Sequence, residues 1–316
     1  VIEKTRFLDI DAVRITNGKK DEITLLSGLG PRIIQFKPGG GKNFFYVREE
    51  DFRGSAERSD AWRIFGGTRL WTSPETILSY RPDNEPCEAA LTENSVTVTT
   101  PADQQSHLRK SITVEPTHRG FVVTYGLANE GPHLLQAGLW ALSCLAPAHN
   151  EPSGQSERGG AAIFLPWGED SGWNVKDMRY WRSWLGVQTD VESAQWRPSN
   201  EFFTVRPTGE VGKIGFANLN GFVLFRRGGL TFVKRSSYVD GAPYPDGGCS
   251  TEIYTSADFY EIETLSPVYL MKPGEEYFHR EEWWAGYEEP PLDSITDTKA
   301  FVDSVLGRGE GRQEMV

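Results

Sequence analysis

Histidine, cysteine and long apolar runs are all scarce in this sequence, and each shortage removes a class of chemistry. Five histidines, His107, His118, His133, His149 and His279, are spread over 316 residues. None stands in a His-x-Glu or His-x-x-x-His spacing that would place two ligands on one metal ion. A metal-dependent mechanism gains no support, and no cofactor is expected. The three cysteines, Cys87, Cys144 and Cys249, are odd in number and far apart, so they outline neither a disulfide framework nor a zinc site. No Gly-x-Ser-x-Gly elbow occurs, which argues against a serine hydrolase. No apolar stretch reaches the roughly 20 residues that a membrane-spanning helix needs, and the sequence opens at Val1 with no recognisable leader. Basic residues are the minority, 33 against 44 acidic, for a net charge of -11. That balance disfavours ligands whose affinity comes from neutralised phosphates, so neither nucleic acid nor an anionic membrane is an expected partner. Repeats of solenoid or propeller period are absent too.

What the chain has in excess is strand signal and tryptophan. Short β-branched and aromatic runs bounded by Gly, Pro, Asn and Asp recur throughout, as in residues 21–36, 95–100, 120–127 and 221–233. Helical periodicity emerges only after Pro290 and Pro291, where Ile295, Ala300, Phe301, Val302 and Val305 can share a face. The expected architecture is all-β, a large antiparallel sandwich over residues 1–289 with a short helical tail over 290–316. Gly39 to Gly41 precede an aromatic strand rather than a helix and read as a hairpin turn, not a phosphate loop. Residues 148–160 read as a surface loop. The Trp-rich segment that follows reads as an insertion of the kind that carries binding residues. Five of the ten tryptophans, Trp167, Trp173, Trp181, Trp184 and Trp196, cluster there. Core filling accounts for most tryptophans, but a ring face is also a platform on which sugar C–H groups stack.

Three segments concentrate groups capable of chemistry. In FYEIETLSP, Phe259 to Pro267, strand alternation puts Glu261 and Glu263 on one face, about 6.5–7 Å apart. Lining a cleft, such a pair would have at least one raised pKa and could act as base or acid; on a solvated face, it would be two ordinary acids. In FGGTRLWTSPE, Phe65 to Glu75, two glycines permit a tight turn before Thr68, Arg69, Trp71 and Glu75. Arg69 and Trp71 would share a face, either to hold hydroxyls or a carboxylate or simply to stack on each other. In residues 233–252, Lys234, Asp240, Tyr244, Asp246 and Glu252 surround turn-forming Gly and Pro. This oxygen-rich turn lacks a known calcium-loop spacing and reads by default as hydrated.

The same segments carry a resemblance. Glu263-Thr264, followed by MKPGEEY at Met271 to Tyr277, resembles the late strand and turn of the aldose 1-epimerase, or galactose mutarotase, family. GLGPRIIQF at Gly28 to Phe36 resembles that family's opening strand pair. The motifs GG-x-RLW-x-x-PE, AGLWALSCLAP, YPDGGCSTEIYT and EIETLSP together are similar to an uncharacterised bacterial family of the same superfamily. Its members commonly carry His where this chain has Thr68. The resemblance implies a galactose mutarotase-like supersandwich with a mono- or oligosaccharide partner, while the compartment, bacterial cytoplasm or periplasm, and the oligomeric state, monomer or homodimer, stay open. It assigns Glu263 as the base that takes the anomeric hydroxyl proton and Arg69 as a sugar-binding arginine. Thr68, Trp71, Glu75, Lys234, Asp240, Tyr244 and Glu261 are the expected substrate-binding residues around them.

One departure matters. Mutarotases present a catalytic histidine on a middle strand, and the corresponding stretch, Leu135 to Leu145 (LQAGLWALSCL), has none. His133 lies nearby in a Gly-Pro turn. Either Arg69, Lys234, Tyr244 or another carboxyl supplies the proton, or the reaction differs. A non-catalytic carbohydrate-binding module, and a lyase or hydrolase of acidic glycans using Glu261, Glu263 or Tyr244, are the alternatives.

Overall fold

The computed structural model describes residues 1–53, 61–147, 160–168, 178–184 and 187–307. Two large sheets carry the architecture, and every described strand pairing is antiparallel. The eleven-stranded sheet runs in the order Ile2–Phe7, Ile10–Thr16, Glu22–Leu26, Arg32–Lys37, Thr68–Ser73, Leu135–Leu145, Tyr260–Leu265, Thr251–Thr255, Gly212–Phe216 and Met178–Tyr180. Its remaining strand, Tyr269–Met271, pairs with one end of Leu135–Leu145. The ten-stranded sheet has Phe222–Arg227, Leu230–Ser236, Glu276–Gly286, Phe121–Asn129 and Leu108–Pro116 at its centre.

The sheets are held face to face by the alternate residues of their strands, as period-2 patterning requires. Ile15, Ile23, Ile33, Leu70, Leu139, Ile253 and Ile262 of the first sheet meet Ile112, Val123, Phe225, Phe232 and Trp283 of the second. Aromatic rings knit the centre. Phe36 lies 5.8–6.4 Å from the rings of Phe44, Phe45, Phe121, Phe232 and Trp283, mostly edge to face. The turn at Pro38–Gly40 returns the chain so that Phe44 N–H donates to Phe36 O at 2.8 Å.

The second sheet's outer face is closed by the helix Ile295–Leu306, whose N-cap Ser294 accepts from the Asp297 N–H. Phe301, Val302 and Val305 pack on Phe164, Phe222, Leu224 and Trp284. Ala300, expected on that face, is exposed, and Thr298 is buried in its stead. The packed row therefore steps from Ile295 through Thr298 to Val302, the 3.6-residue spacing that a hydrophobic count alone passes over. Among the described residues no helix is long and apolar enough to cross a membrane.

Gly66 and Gly67 seat the strand Thr68–Ser73. Both have positive φ, 85° and 69°, and a Cβ would stand 2.1 Å from Tyr46 O at Gly66 and 2.3 Å from Ile33 O at Gly67. The close approach lets Gly67 N–H donate to Tyr46 O and Gly67 O accept from Cys144 N–H, each at 2.8 Å. A Gly67→Ala substitution is expected to cost about 1–3 kcal/mol, the scale of a residue forced into such a backbone region. Urea denaturation monitored by tryptophan fluorescence measures it.

Candidate functional site

Register assembles the site. Arg69 pairs with Leu142, Leu142 with Glu263, and Glu263 with Glu252. Directly opposite residues in a sheet share a face, so Arg69, Glu263 and Glu252 form one row across four strands. The neighbouring rows on that face are Trp71, Trp140 and Leu265 on one side, and Cys144, Glu261, Tyr254 and Lys213 on the other. The intervening residues Leu70, Ala141, Ile253 and Ile262 belong to the core. The row therefore lies on the outer face of the first sheet, not between the sheets.

Lys213 is the hub. Its Nζ sits 3.1 Å from Glu263 Oε2 and 2.9 Å from Glu252 Oε2. It also lies 4.6 Å over the Trp140 ring and 5.5 Å over that of Trp181. Trp140 Nε1–H donates to Glu263 Oε2 at 2.7 Å, and Cys144 Sγ–H donates to Glu261 Oε1 at 3.3 Å. Glu252 has the ionic contact but no well-directed hydrogen bond to either oxygen among the described residues.

Three buried carboxyls face one ammonium, and they cannot all ionise cheaply. Burial, opposed by Lys213 and reinforced by Glu263, holds the Glu252 carboxyl well above the usual range. Burial and the neighbouring Glu263 push Glu261 up to about 7. Lys213 would be lowered by burial alone, but Glu252 and Glu263 carry it above the ordinary lysine value. Burial and Glu261 likewise keep the Cys144 thiol protonated.

Arg69 is locked at the other end of the row. Its Nη1 donates to Arg63 O at 3.0 Å and lies 3.9 Å from Asp83 Oδ1, while its guanidinium stacks 4.8 Å over Trp71 and 5.5 Å over Trp62. Two strand spacings put its backbone about 9–10 Å from that of Glu263, with Leu142 as floor. Trp71 is enclosed by Trp140, Tyr80 and Trp62 at 5.4, 4.8 and 6.3 Å, so this expected substrate-binding residue presents no open ring face. Trp62, at 41% exposure, has the open ring. Glu75 accepts from the Tyr80 hydroxyl beside this aromatic group.

The other expected residues lie elsewhere. Thr68 and Lys234 are on the inward side: Thr68 Oγ1 meets Ser143 Oγ at 2.9 Å, and Lys234 Nζ pairs with Glu281 Oε1 at 3.0 Å and Ser143 Oγ at 2.9 Å. Thr68 is one residue from Arg69, and alternation turns it inward. Asp240 is exposed in a turn, and the Tyr244 hydroxyl accepts from Val239 N–H while its ring stacks on Tyr238. That segment is a turn that delivers Glu252 to its strand. His279 does not replace the missing histidine, because its Nε2 meets Thr264 Oγ1 at 2.8 Å between the sheets and burial lowers its pKa to about 4. Trp167 and Trp196 pack around Phe203. Trp173, His149 and most of residues 148–160 lie outside the described residues, as does the Trp184 side chain.

Sequence reading missed Lys213, Trp140 and Trp62, and took Glu252 only as part of a turn. A signal existed for Lys213: in GKIGF it is the charged member of a strand otherwise made of apolar residues and glycine.

No protein-family model matches the chain, and no curated protein matches it. Solved structures do. A galactose mutarotase-like protein from Lactobacillus casei superposes with a TM-score of 0.59 at 9% identity, over 87% of this chain and 100% of its own. A galactose mutarotase-like protein from Clostridium acetobutylicum gives 0.55 at 12%, over 90% and 98%. A galactose mutarotase related enzyme from Lactobacillus acidophilus gives 0.51 at 11%, over 90% and 99%. At such identities the likeness speaks for the fold, and in fold the chain is galactose mutarotase-like.

Proposed function

We propose that the chain is a cofactor-independent, aldose 1-epimerase-like enzyme that interconverts the anomers of a sugar on the outer face of its first sheet. The observation that carries this reading is the row Arg69, Glu263, Glu252 with Glu261 and Lys213 in the row beside it, three carboxyls and two cations gathered on one face of a mutarotase-like fold. Glu263 takes the proton of the anomeric hydroxyl. Glu261, on the same strand face, returns one to the ring oxygen, and the C1 to ring-oxygen bond opens and recloses from the other side. This gives a carboxylic acid on the neighbouring strand the proton-donating role that the resembled family gives to a histidine. Arg69 holds sugar oxygens, and Trp62 offers the open ring. Glu263 has no exposed surface, so ligand entry requires the side chains over it to move.

Proton donation by Glu261 has a pH signature. The acid must be protonated, and its pKa is raised to about 7. The rate is therefore expected to hold below pH 7 and to fall up to tenfold per unit above it, a limb that Glu261→Gln removes along with most of the rate. Stability moves the same way. The folded state keeps a proton that the unfolded chain loses near its ordinary carboxyl value, so this group's contribution is full at low pH and is lost as pH rises through about 7. Polarimetry on freshly dissolved α-anomers from pH 5 to 9 tests the assignment. A wild-type rate equal to buffer across a broad sugar panel would remove the epimerase reading.

The full burial and ion pairing of Glu263 favour one second reading, sugar binding without turnover. It predicts calorimetric binding with no acceleration of anomer exchange.

A further inference from the structure

A second site adjoins the Arg69 end of the row but does not include its carboxyls. Where the chain crosses from the first sheet to the second, a cavity of about 350 Å³ is lined by Thr72, Arg81, Asp83, Thr100, Asp103 and Lys110, among others. That volume falls within the range of small-molecule pockets. Lys110 stands two residues from each of Leu108 and Ile112 on its strand and so shares their face, and both of those are core residues, so its side chain points inward from the second sheet.

The charges are matched except at one point. Asp83 is paired with Arg32 and lies 3.9 Å from Arg69. Asp103 is paired with Arg81 at 3.0 Å and also accepts from Ser106 N–H and Oγ–H and from Gln105 N–H. Among the described residues the Lys110 ammonium has no hydrogen-bond or ion-pair partner. It is half-buried: loss of hydration weighs most against its charge, Asp83 favours it, Arg69 and Arg32 oppose it, and Asp103 favours it. A cation held this way is costly, and an anion seated in the cavity would relieve it.

We propose that this cavity binds a small hydroxylated monocarboxylate of sugar-acid size, with the carboxylate on Lys110. A single unmatched ammonium takes a single negative charge. Glu85 is also in the lining and is exposed, and with Asp83 and Asp103 it repels a dianion, which disfavours inorganic phosphate. Thr72, Thr100 and Ser106 supply hydroxyls along the walls for a polyhydroxylated chain. Thr100 Oγ1 already accepts from the Lys110 backbone N–H, which leaves its own proton free to donate.

Calorimetry on the full chain with gluconate, glucitol and inorganic phosphate tests the proposal. Gluconate is expected to bind at least tenfold more tightly than glucitol or phosphate. Lys110→Met should lose that preference, Lys110→Arg should retain it, and Lys110→Met should keep or raise the Tm because it removes a half-buried cation that has no direct partner. Equal gluconate affinity in wild type and Lys110→Met would overturn the proposal, as would tighter binding of phosphate or a Tm lowered by several degrees in Lys110→Met. Trp62→Ala separates this site from the carboxyl row: loss of the row's open stacking ring should leave gluconate binding unchanged, and loss of binding there would place the acid at the row and end the proposal.

Discussion

Replacing Glu263 with glutamine is expected to slow anomer exchange by about 10²–10⁴-fold, the range for losing a general acid or base. The substitution is close to isosteric. The glutamine carbonyl can still accept from Trp140 Nε1–H, and Lys213 keeps Glu252 at 2.9 Å, so the row should stay assembled. Only the proton acceptor is lost. The rate should therefore fall while sugar affinity, read by calorimetry, changes by less than tenfold and the Tm stays within a few degrees. A variant that unfolds, or that loses binding and rate together, would instead mark Glu263 as a residue that holds the sheet face together.

A second large effect is expected at the buried pair between the sheets, where chemistry plays no part. Glu281 has no exposed surface and holds Lys234 at 3.0 Å while accepting from Tyr125 OH at 3.2 Å and Trp283 Nε1–H at 2.7 Å. Glu281→Ala leaves the Lys234 ammonium without its counter-ion and should destabilise the fold by about 3–5 kcal/mol. Replacing both partners, Lys234→Met with Glu281→Leu, should recover much of that loss, because two apolar side chains remove the desolvation problem that one deletion creates. Urea midpoints of Glu281→Ala and the double variant give the answer. Equal midpoints for Glu281→Ala and the double variant would mean that Lys234 finds another partner.

These two residues also show what the sequence could and could not say. Alternation along FYEIETLSP is enough to put Glu261 and Glu263 on one face and Ile262 on the other, because a strand has one periodicity and two sides. Which side faces the partner sheet follows from Ile262, Leu70 and Leu139. Register across strands is another matter. That Arg69 falls in line with Glu263 depends on both pairing with Leu142, and nothing in residues 69 or 263 encodes the position of Leu142. The same gap misplaced Lys234. A lysine beside turn residues reads as exposed and polar, yet its strand carries it into the sandwich, where Glu281, distant in sequence, makes its burial tolerable. Lys213 is the converse case: its place in a strand of apolar residues and glycine marks it as unusual, but the two glutamates that give it a role come together only through register. Long-range ion pairs are invisible to periodicity. Thr68 and Asp240 were misread more simply, one by a single step of alternation and the other by its place in an exposed turn.

The most direct measurement is anomeric exchange by saturation-transfer NMR, with the wild-type chain and Glu263→Gln each added to equilibrated aldoses. Saturating the α-anomeric proton should transfer to the β signal faster with wild type than with buffer for at least one sugar, and Glu263→Gln should return that transfer to the buffer level. A Glu263→Gln variant that transfers as fast as wild type would contradict the assignment of Glu263 as the base of this sheet face.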